Sequence, residues 1–164
     1  MQSTYIHFAK LTEKAVVPSK RLEDSGYDIY SCFEDEDLIL EPGDIKIVPT
    51  GICSAFSNDL VLFVKERSST GAIGLAVRMG VIDSGYRGEI KIALNNTSKC
   101  TIVISKRITS INKHGSLIEY PYFKAIAQMV FCKIPAEQAT EISYKELLSI
   151  SSLRGDTYLG ASGK

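Results

Sequence analysis

Gly80-Val81-Ile82-Asp83-Ser84-Gly85-Tyr86-Arg87-Gly88-Glu89 sets two apolar arms, 79–83 and 89–94, on either side of a glycine-bounded turn. The β-branched residues in both arms predict two short strands joined as a hairpin with a longer loop. Gly85 and Gly88 permit a positive φ, or a close approach of another molecule to the backbone. Asp83 and Tyr86 then stand near the tip, within reach of a ligand. An ordinary β-turn in which Asp83 caps its own backbone fits the same residues, so the stretch has to be judged with the rest of the chain.

On either side of it, short apolar runs separated by turn residues recur at 5–9, 38–40, 46–48, 60–64, 73–77, 89–94, 101–104 and 125–134. They predict an all-β protein. Glu41-Pro42-Gly43-Asp44 reads as a turn, since Pro sets its own φ and Gly accepts a positive one. Glu34-Asp35-Glu36-Asp37 reads as a solvated acidic loop. Helix is expected only as a short turn after Ser68 and within 144–149, where Leu147 and Leu148 would pack on the body.

The chain has 164 residues, one domain's worth, and 19 Lys plus Arg balance 19 Asp plus Glu. No net field recruits nucleic acid or an anionic membrane, so any anion site must be local. Residues 1–10 lack the pattern of a signal peptide, and no apolar run is long enough to span a bilayer. The expectation is a soluble intracellular protein, cytoplasmic or nuclear, or within the host cell for a virus. Cys32, Cys53, Cys100 and Cys132 are scattered with no C-x-x-C pair, and His7 and His114 lie far apart. Reduced cysteines are expected, with neither zinc nor a disulfide framework.

Four further segments flank the opening stretch in fixed order: Ser25-Gly26-Tyr27-Asp28-Ile29-Tyr30-Ser31, Arg67-Ser68-Ser69-Thr70-Gly71, Ile126-Ala127-Gln128, and the run from Arg154-Gly155 to Gly163. Each alone is common in loops. Five in order with compatible spacing resemble the motifs of the trimeric dUTPase family. The resemblance implies a distorted jelly-roll β-barrel over 1–153. It also implies a flexible, glycine-rich C-terminal arm, 154–164, that completes a neighbouring active site, and so a homotrimer with shared sites. The compact length and divergent last motif suit a viral or phage member.

By this resemblance the chain is a dUTP diphosphatase, hydrolysing dUTP to dUMP and pyrophosphate, which limits uracil in DNA and supplies dUMP for dTMP synthesis. Such chemistry needs an activated water, neutralised phosphate charge and an in-line leaving group. The resemblance makes Asp83 the group that orients and deprotonates the water, a task suited to a positioned carboxylate. Tyr86 would lie against the deoxyribose and leave no room for a 2′-hydroxyl. Backbone groups of Gly80, Val81 and Ile82 would read the uracil. Asp28 matches the aspartate that holds Mg²⁺ through water; Mg²⁺ keeps several waters and shares substrate phosphates, so one carboxylate suffices. Arg67 and Ser68 match the phosphate-facing pair of the second motif, with Arg supplying a planar fork of donors, and Ser69 beside them is expected to bind substrate as well. Gln128 matches a neutral donor toward the phosphates, and Arg154 a contact to the γ-phosphate.

The chain departs from the family pattern in several places. Leu159 stands where an aromatic is usual and Tyr158 where Gly is usual, so either Tyr158 or Leu159 would cover the uracil. Ala125 replaces a basic residue, Glu66 a proline and Ser69 a glycine. Segment 106–122 is longer than the family's short hairpin and too apolar for an unpacked loop. It is expected either to pack as an extra hairpin on the body or to present a surface to a protein partner. Two other functions fit parts of the pattern. A dCTP deaminase would share the fold but needs a glutamate near Ala93, where the chain has no carboxylate. A nucleotide-sensing regulatory module of weak activity would be favoured only by Leu159 and the 106–122 segment.

Overall fold

The computed structural model describes residues 4–135, 137–153 and 155. In chain order its elements are β1 (Ile6–Lys10), β2 (Tyr27–Ile29), β3 (Asp37–Leu40), β4 (Ile45–Val48), β5 (Ile52–Phe56), β6 (Leu60–Lys65) and α1 (Ser68–Ala72). There follow β7 (Leu75–Arg78), β8 (Val81–Ile82), β9 (Ile92–Asn96), β10 (Thr101–Ser105), β11 (Asn112–His114), β12 (Leu117–Pro121), β13 (Ala127–Lys133) and α2 (Tyr144–Ser149). Among the described residues the protein is all-β apart from two short helices.

The strands form four small sheets: β1-β5, β11-β12-β10-β3, β2-β13-β6-β8 and β4-β9-β7. Each contributes to one core, as Phe56, Leu62, Leu94 and Ile104 illustrate; all four are at most 1% exposed. Alternation along β13 explains its placement, since Ala127 and Met129 face inward at 0% exposure while Gln128 between them is half-buried. In β9 all five residues are buried, including Asn95 and Asn96. Both amides are satisfied: Asn95 Nδ2 donates to Asp44 O at 3.0 Å, and Asn96 Nδ2 to Leu40 O and Cys100 O at 2.8 Å each. A buried amide left unpaired would cost about 1–3 kcal/mol; here the pair ties β9 to the neighbouring turns instead.

The arms 79–83 and 89–94 do not pair as a hairpin. Val81 and Ile82 lie opposite Phe63 and Leu62 of β6, whereas the second arm becomes a strand only at Ile92 and pairs with β4 and β7. Gly80 is the physical reason on one side. Its carbonyl accepts from Val64 N at 2.8 Å, and a Cβ there would stand 2.8 Å from Val64 O, so only glycine lets this arm lie against β6. On the other side Ile90 N donates to Ile52 O and Gly51 N to Glu89 Oε1, each at 2.8 Å. The Asp83–Gly88 turn thus bridges two sheets. Neither Gly85 nor Gly88 takes a positive φ, in contrast to Gly43 at 89° in the expected turn.

Two strands, β2 and β5, lie outside both the apolar runs and the segments expected as hairpins. β5 reads Ile-Cys-Ser-Ala-Phe, whose small polar members hide an alternation in which Ile52, Ser54 and Phe56 are buried. β2 has only three residues. Segment 106–122 packs: β11 and β12 turn about Gly115, which has a φ of 59°, and β12 runs parallel to β10 with Ile118 and Tyr120 in the core. Helix α2 forms at the expected place behind a Ser143–Glu146 capping box. Leu147 and Leu148 do not pack on the body of their own chain, being 53% and 55% exposed.

Candidate active site

Asp28 and Gln128 are cross-strand partners in the β2–β13 ladder. Tyr27 and Ile29 point inward, Tyr27 meeting Phe8 and Phe131 edge-on, which turns Asp28 outward. Gln128 shares that outward face because Gly26 makes room for it: a Cβ on Gly26 would come within 2.5 Å of Gln128 Oε1. Gln128 Nε2 donates to Glu66 O at 2.7 Å, fixing the chain just ahead of Arg67.

Arg67 caps α1 and is clamped by Thr70, whose Oγ1 accepts from Arg67 N and donates to Arg67 O, both at 3.0 Å. Thr70 is fully buried. The Arg67 guanidinium forks onto Asp28, with Nε 2.8 Å from Oδ1 and the second nitrogen 3.3 Å from Oδ2. This two-point geometry aims the fork as well as neutralising the carboxylate. Glu66 does not interrupt the arrangement: its Oε1 accepts from Val77 N at 2.9 Å, and that bond holds its carboxyl below the usual range against the effect of burial.

These side chains line a cavity of about 720 Å³ bounded by Ser19, Lys20, Arg21, Asp24, Ser25, Gly26, Asp28, Arg67, Ser68, Ser69 and Gln128. Three cations face two carboxylates, so the cavity suits an anion. Residues 19–24 of the loop before β2 carry no functional expectation from the motifs, although the Lys20-Arg21 pair is a visible signal. Lys20 Nζ donates to Asp24 O at 2.7 Å and lies 5.6 Å over the Tyr27 ring. Arg21 pairs with Asp24 through Nε at 2.9 Å, and that hydrogen bond pulls the Asp24 carboxyl down.

Asp83 and Tyr86 occupy a second cavity of about 510 Å³ with Ile47, Met79, Gly80, Val81, Ile82, Glu89 and Lys91. No residue lines both cavities. Asp83 is exposed, and its carbonyl accepts from Tyr86 N at 3.1 Å. The Tyr86 hydroxyl donates to Glu89 O at 3.0 Å, and a Cβ on Gly88 would stand 2.5 Å from that hydroxyl oxygen. Gly88 thus lets the ring lie across the turn. Met79, with a φ of 57°, is among the described residues the non-glycine in the left-handed region, a strain of roughly 1–2 kcal/mol held at the mouth of this cavity.

One chain therefore gathers Asp28, Arg67, Ser68, Ser69 and Gln128 in one place, and Gly80, Val81, Ile82, Asp83 and Tyr86 in another. It does not bring the two groups into one cavity. Arg154, Tyr158 and Leu159 lie outside the described residues. Among the described residues no cluster of three or more His, Cys, Asp or Glu side chains forms a metal cage, and no helix is long and apolar enough to cross a membrane.

The dUTPase family profile matches residues 12–110, and so takes in Asp28, Arg67, Asp83 and Tyr86. The chain belongs to the dUTPase family. A deoxyuridine 5′-triphosphate nucleotidohydrolase of Mycolicibacterium gilvum is 31% identical over 98% of this chain and 96% of its own length. A Pol polyprotein of caprine arthritis encephalitis virus is 33% identical over 60% of the chain, which matches 9% of that polyprotein. Among solved structures, a Staphylococcus bacteriophage 80alpha dUTPase with dUpNHpp superposes with a TM-score of 0.75 at 23% identity, covering 98% of this chain and 99% of the other. A dUTPase from phage phi11 of S. aureus, described for the coordination of a structural Mg(II) ion, gives 0.66 at 23% identity over 84% of this chain and 96% of its own. The fold of this dUTPase is accordingly the jelly-roll type of its structural neighbours. The family profile stops at residue 110, ahead of the β11–β12 hairpin, while the mycobacterial relative runs on through the strand that carries Gln128.

Proposed function

We propose that this dUTPase hydrolyses dUTP to dUMP and pyrophosphate at composite sites of a homotrimer. The observation that carries the reading is the separation of the two half-sites in one chain. A cationic cavity with Asp28, Arg67, Ser68, Ser69 and Gln128 suits a triphosphate. The Gly80–Tyr86 cavity, with its carboxylate, phenol and exposed backbone, suits a deoxyuridine and an attacking water. Each half needs the other from a neighbour. Ile45, Ile47, Met79 and Val81, all 58–63% exposed, form an apolar belt around the second cavity that such a neighbour would cover.

In this arrangement Asp83 accepts a proton from water as the water oxygen bonds to the α-phosphorus, and the bond from that phosphorus to the bridging oxygen breaks to release pyrophosphate. Arg67, with the Ser68 and Ser69 hydroxyls, holds the phosphates in line, and Gln128 steadies the backbone beside Arg67. The Tyr86 ring, fixed over Gly88, fills the space a 2′-hydroxyl would need. Arg154 and one of Tyr158 or Leu159 would close the site from the 154–164 arm. Mg²⁺ fits this donor set: Asp28, a carboxylate at the cavity wall oriented by Arg67, would hold the ion through water beside the substrate phosphates. When bound it would neutralise phosphate charge. Ala93, 1% exposed inside β9, provides no carboxylate for deamination.

The test is pyrophosphate and ammonia release by the purified protein with Mg²⁺, offered dUTP, dCTP, dTTP and UTP separately. Pyrophosphate from dUTP alone is expected. Ammonia from dCTP, or silence with dUTP, would overturn the reading.

A further inference from the structure

Residues 83–91 belong to no strand, yet they hold the phenol of Tyr86 in place across the turn. The acceptor of its hydroxyl is the Glu89 carbonyl, 3.0 Å away. In the same peptide unit Ile90 N donates to Ile52 O at 2.8 Å, and because the N–H and C=O of a trans peptide point in opposite directions, that bond turns the carbonyl toward the ring. Thr50 Oγ1 donates to Ile90 O at 2.5 Å at the same junction. The other tie is the Glu89 side chain itself. Its Oε1 accepts from Gly51 N at 2.8 Å, and its Oε2 lies 3.7 Å from Lys91 Nζ. Gly51 is a firm anchor: it is buried, its φ is 65°, and a Cβ there would stand 2.7 Å from Ala15 Cβ. Glu89 thus lines the Asp83–Tyr86 cavity with its carboxylate tied to Gly51 and its carbonyl to the phenol.

We infer that Glu89 is a positioning residue for the choice of sugar: its carboxylate pins the end of the turn to Gly51 and so fixes the carbonyl on which Tyr86 holds its ring. The inference rests on the reading of the Gly80–Tyr86 cavity as the deoxyuridine half-site. A ring rejects a 2′-hydroxyl only as far as it cannot retreat, and its retreat is limited by how firmly its acceptor is held. Ile90 keeps its own bonds to Ile52 and Thr50 when the Glu89 side chain is shortened, so the chain should still fold while the turn loosens.

The experiment compares Glu89→Ala, Glu89→Gln and Thr50→Val in the full chain, with kcat/KM measured for dUTP and for UTP. In Glu89→Ala the ratio of the two should fall about tenfold, chiefly through a gain with UTP, and the NMR signal of the Tyr86 ring carbon that bears the hydroxyl should move. Glutamine still offers an oxygen to Gly51 N, so Glu89→Gln should keep both the ratio and the signal. Thr50→Val removes the bond to Ile90 O and should lower Tm, yet it leaves the carboxylate in place and should keep the ratio. A ratio unchanged in Glu89→Ala, or one that falls as far in Glu89→Gln or Thr50→Val, would overturn the inference. Absence of dUTP turnover in the unaltered protein would overturn the reading of the cavity instead, and the Tyr86 signal would still decide whether Glu89 holds the phenol.

Discussion

Two inactive variants of this dUTPase should restore activity to one another. Asp83→Asn keeps the shape of the turn but takes away the proposed proton acceptor, a loss of about 10²- to 10⁴-fold for a general base. Arg67→Gln removes the fork that lines the other cavity while leaving Asp83 intact. The cavities share no lining residue, so an active site built across a subunit boundary takes Arg67 from one chain and Asp83 from the next. Around a cyclic trimer holding both variants, in either proportion, that favourable junction occurs once. Mixed trimers carrying two different tags, purified through both, should therefore regain about one third of the unaltered rate at saturating dUTP, measured as pyrophosphate release. Each parent trimer stays near background. A site contained within one chain would give mixed trimers no faster than the mean of their parents, and that result would refute the composite arrangement.

Two further outcomes test how the first half-site is built. Gly26→Ala puts a methyl 2.5 Å from Gln128 Oε1 and 3.1 Å from its Cβ. It should cost roughly 1–3 kcal/mol in overpacking, lower Tm by several degrees at about 2–4 °C per kcal/mol, and cut kcat/KM about tenfold as Gln128 leaves Glu66 O. A melt and a rate both unchanged would show that Gln128 moves aside freely. Glu66→Gln tests the carboxylate bond to Val77 N. The folded carboxyl lies below its ordinary value of 4.5, so its contribution is complete above the unfolded value and is lost as pH falls through the folded one. The unaltered protein should be more stable than the variant by about 1 kcal/mol at pH 7 in urea melts, with the gap closing in acid; a gap that persists at low pH would assign the effect to packing.

The sequence was legible wherever chemistry is concentrated in a short run with glycines. Gly26 and Gly88 each stand beside a side chain that a Cβ would displace, Gln128 and Tyr86, so the motifs carry the spacing requirement in their own letters. The helix after Ser68, the Glu41–Asp44 turn and the packing of 106–122 followed from local rules of the same kind. Pairing was less legible. The 79–83 and 89–94 arms look like a hairpin because both are apolar and joined by a glycine-bounded turn. What sends them to different sheets is tertiary: Gly80 against Val64, and Glu89 and Ile90 against Gly51 and Ile52. β5 was hidden because Ser54 occupies an inward position, and an alternation with a buried hydroxyl reads as a loop.

The exposed apolar residues follow from the same division of labour. In one chain Ile45, Ile47, Met79 and Val81 stay open, as do Leu147 and Leu148 of α2, although at roughly 25 cal/mol per Å² each would gain from burial. Asp83 stands among the first group, and among the described residues the cation lining its cavity is Lys91, which lies 3.7 Å from Glu89. Arg67 meanwhile is neutralised by Asp28 and Arg21 by Asp24, so the spare positive charge of the other cavity sits at Lys20. On the proposed mechanism a triphosphate needs that charge close to Asp83, and the chain keeps the two apart. Under the composite-site proposal, association that covers the apolar belt is also the step that would bring Asp83 to the phosphates, and assembly and catalytic competence would be one event.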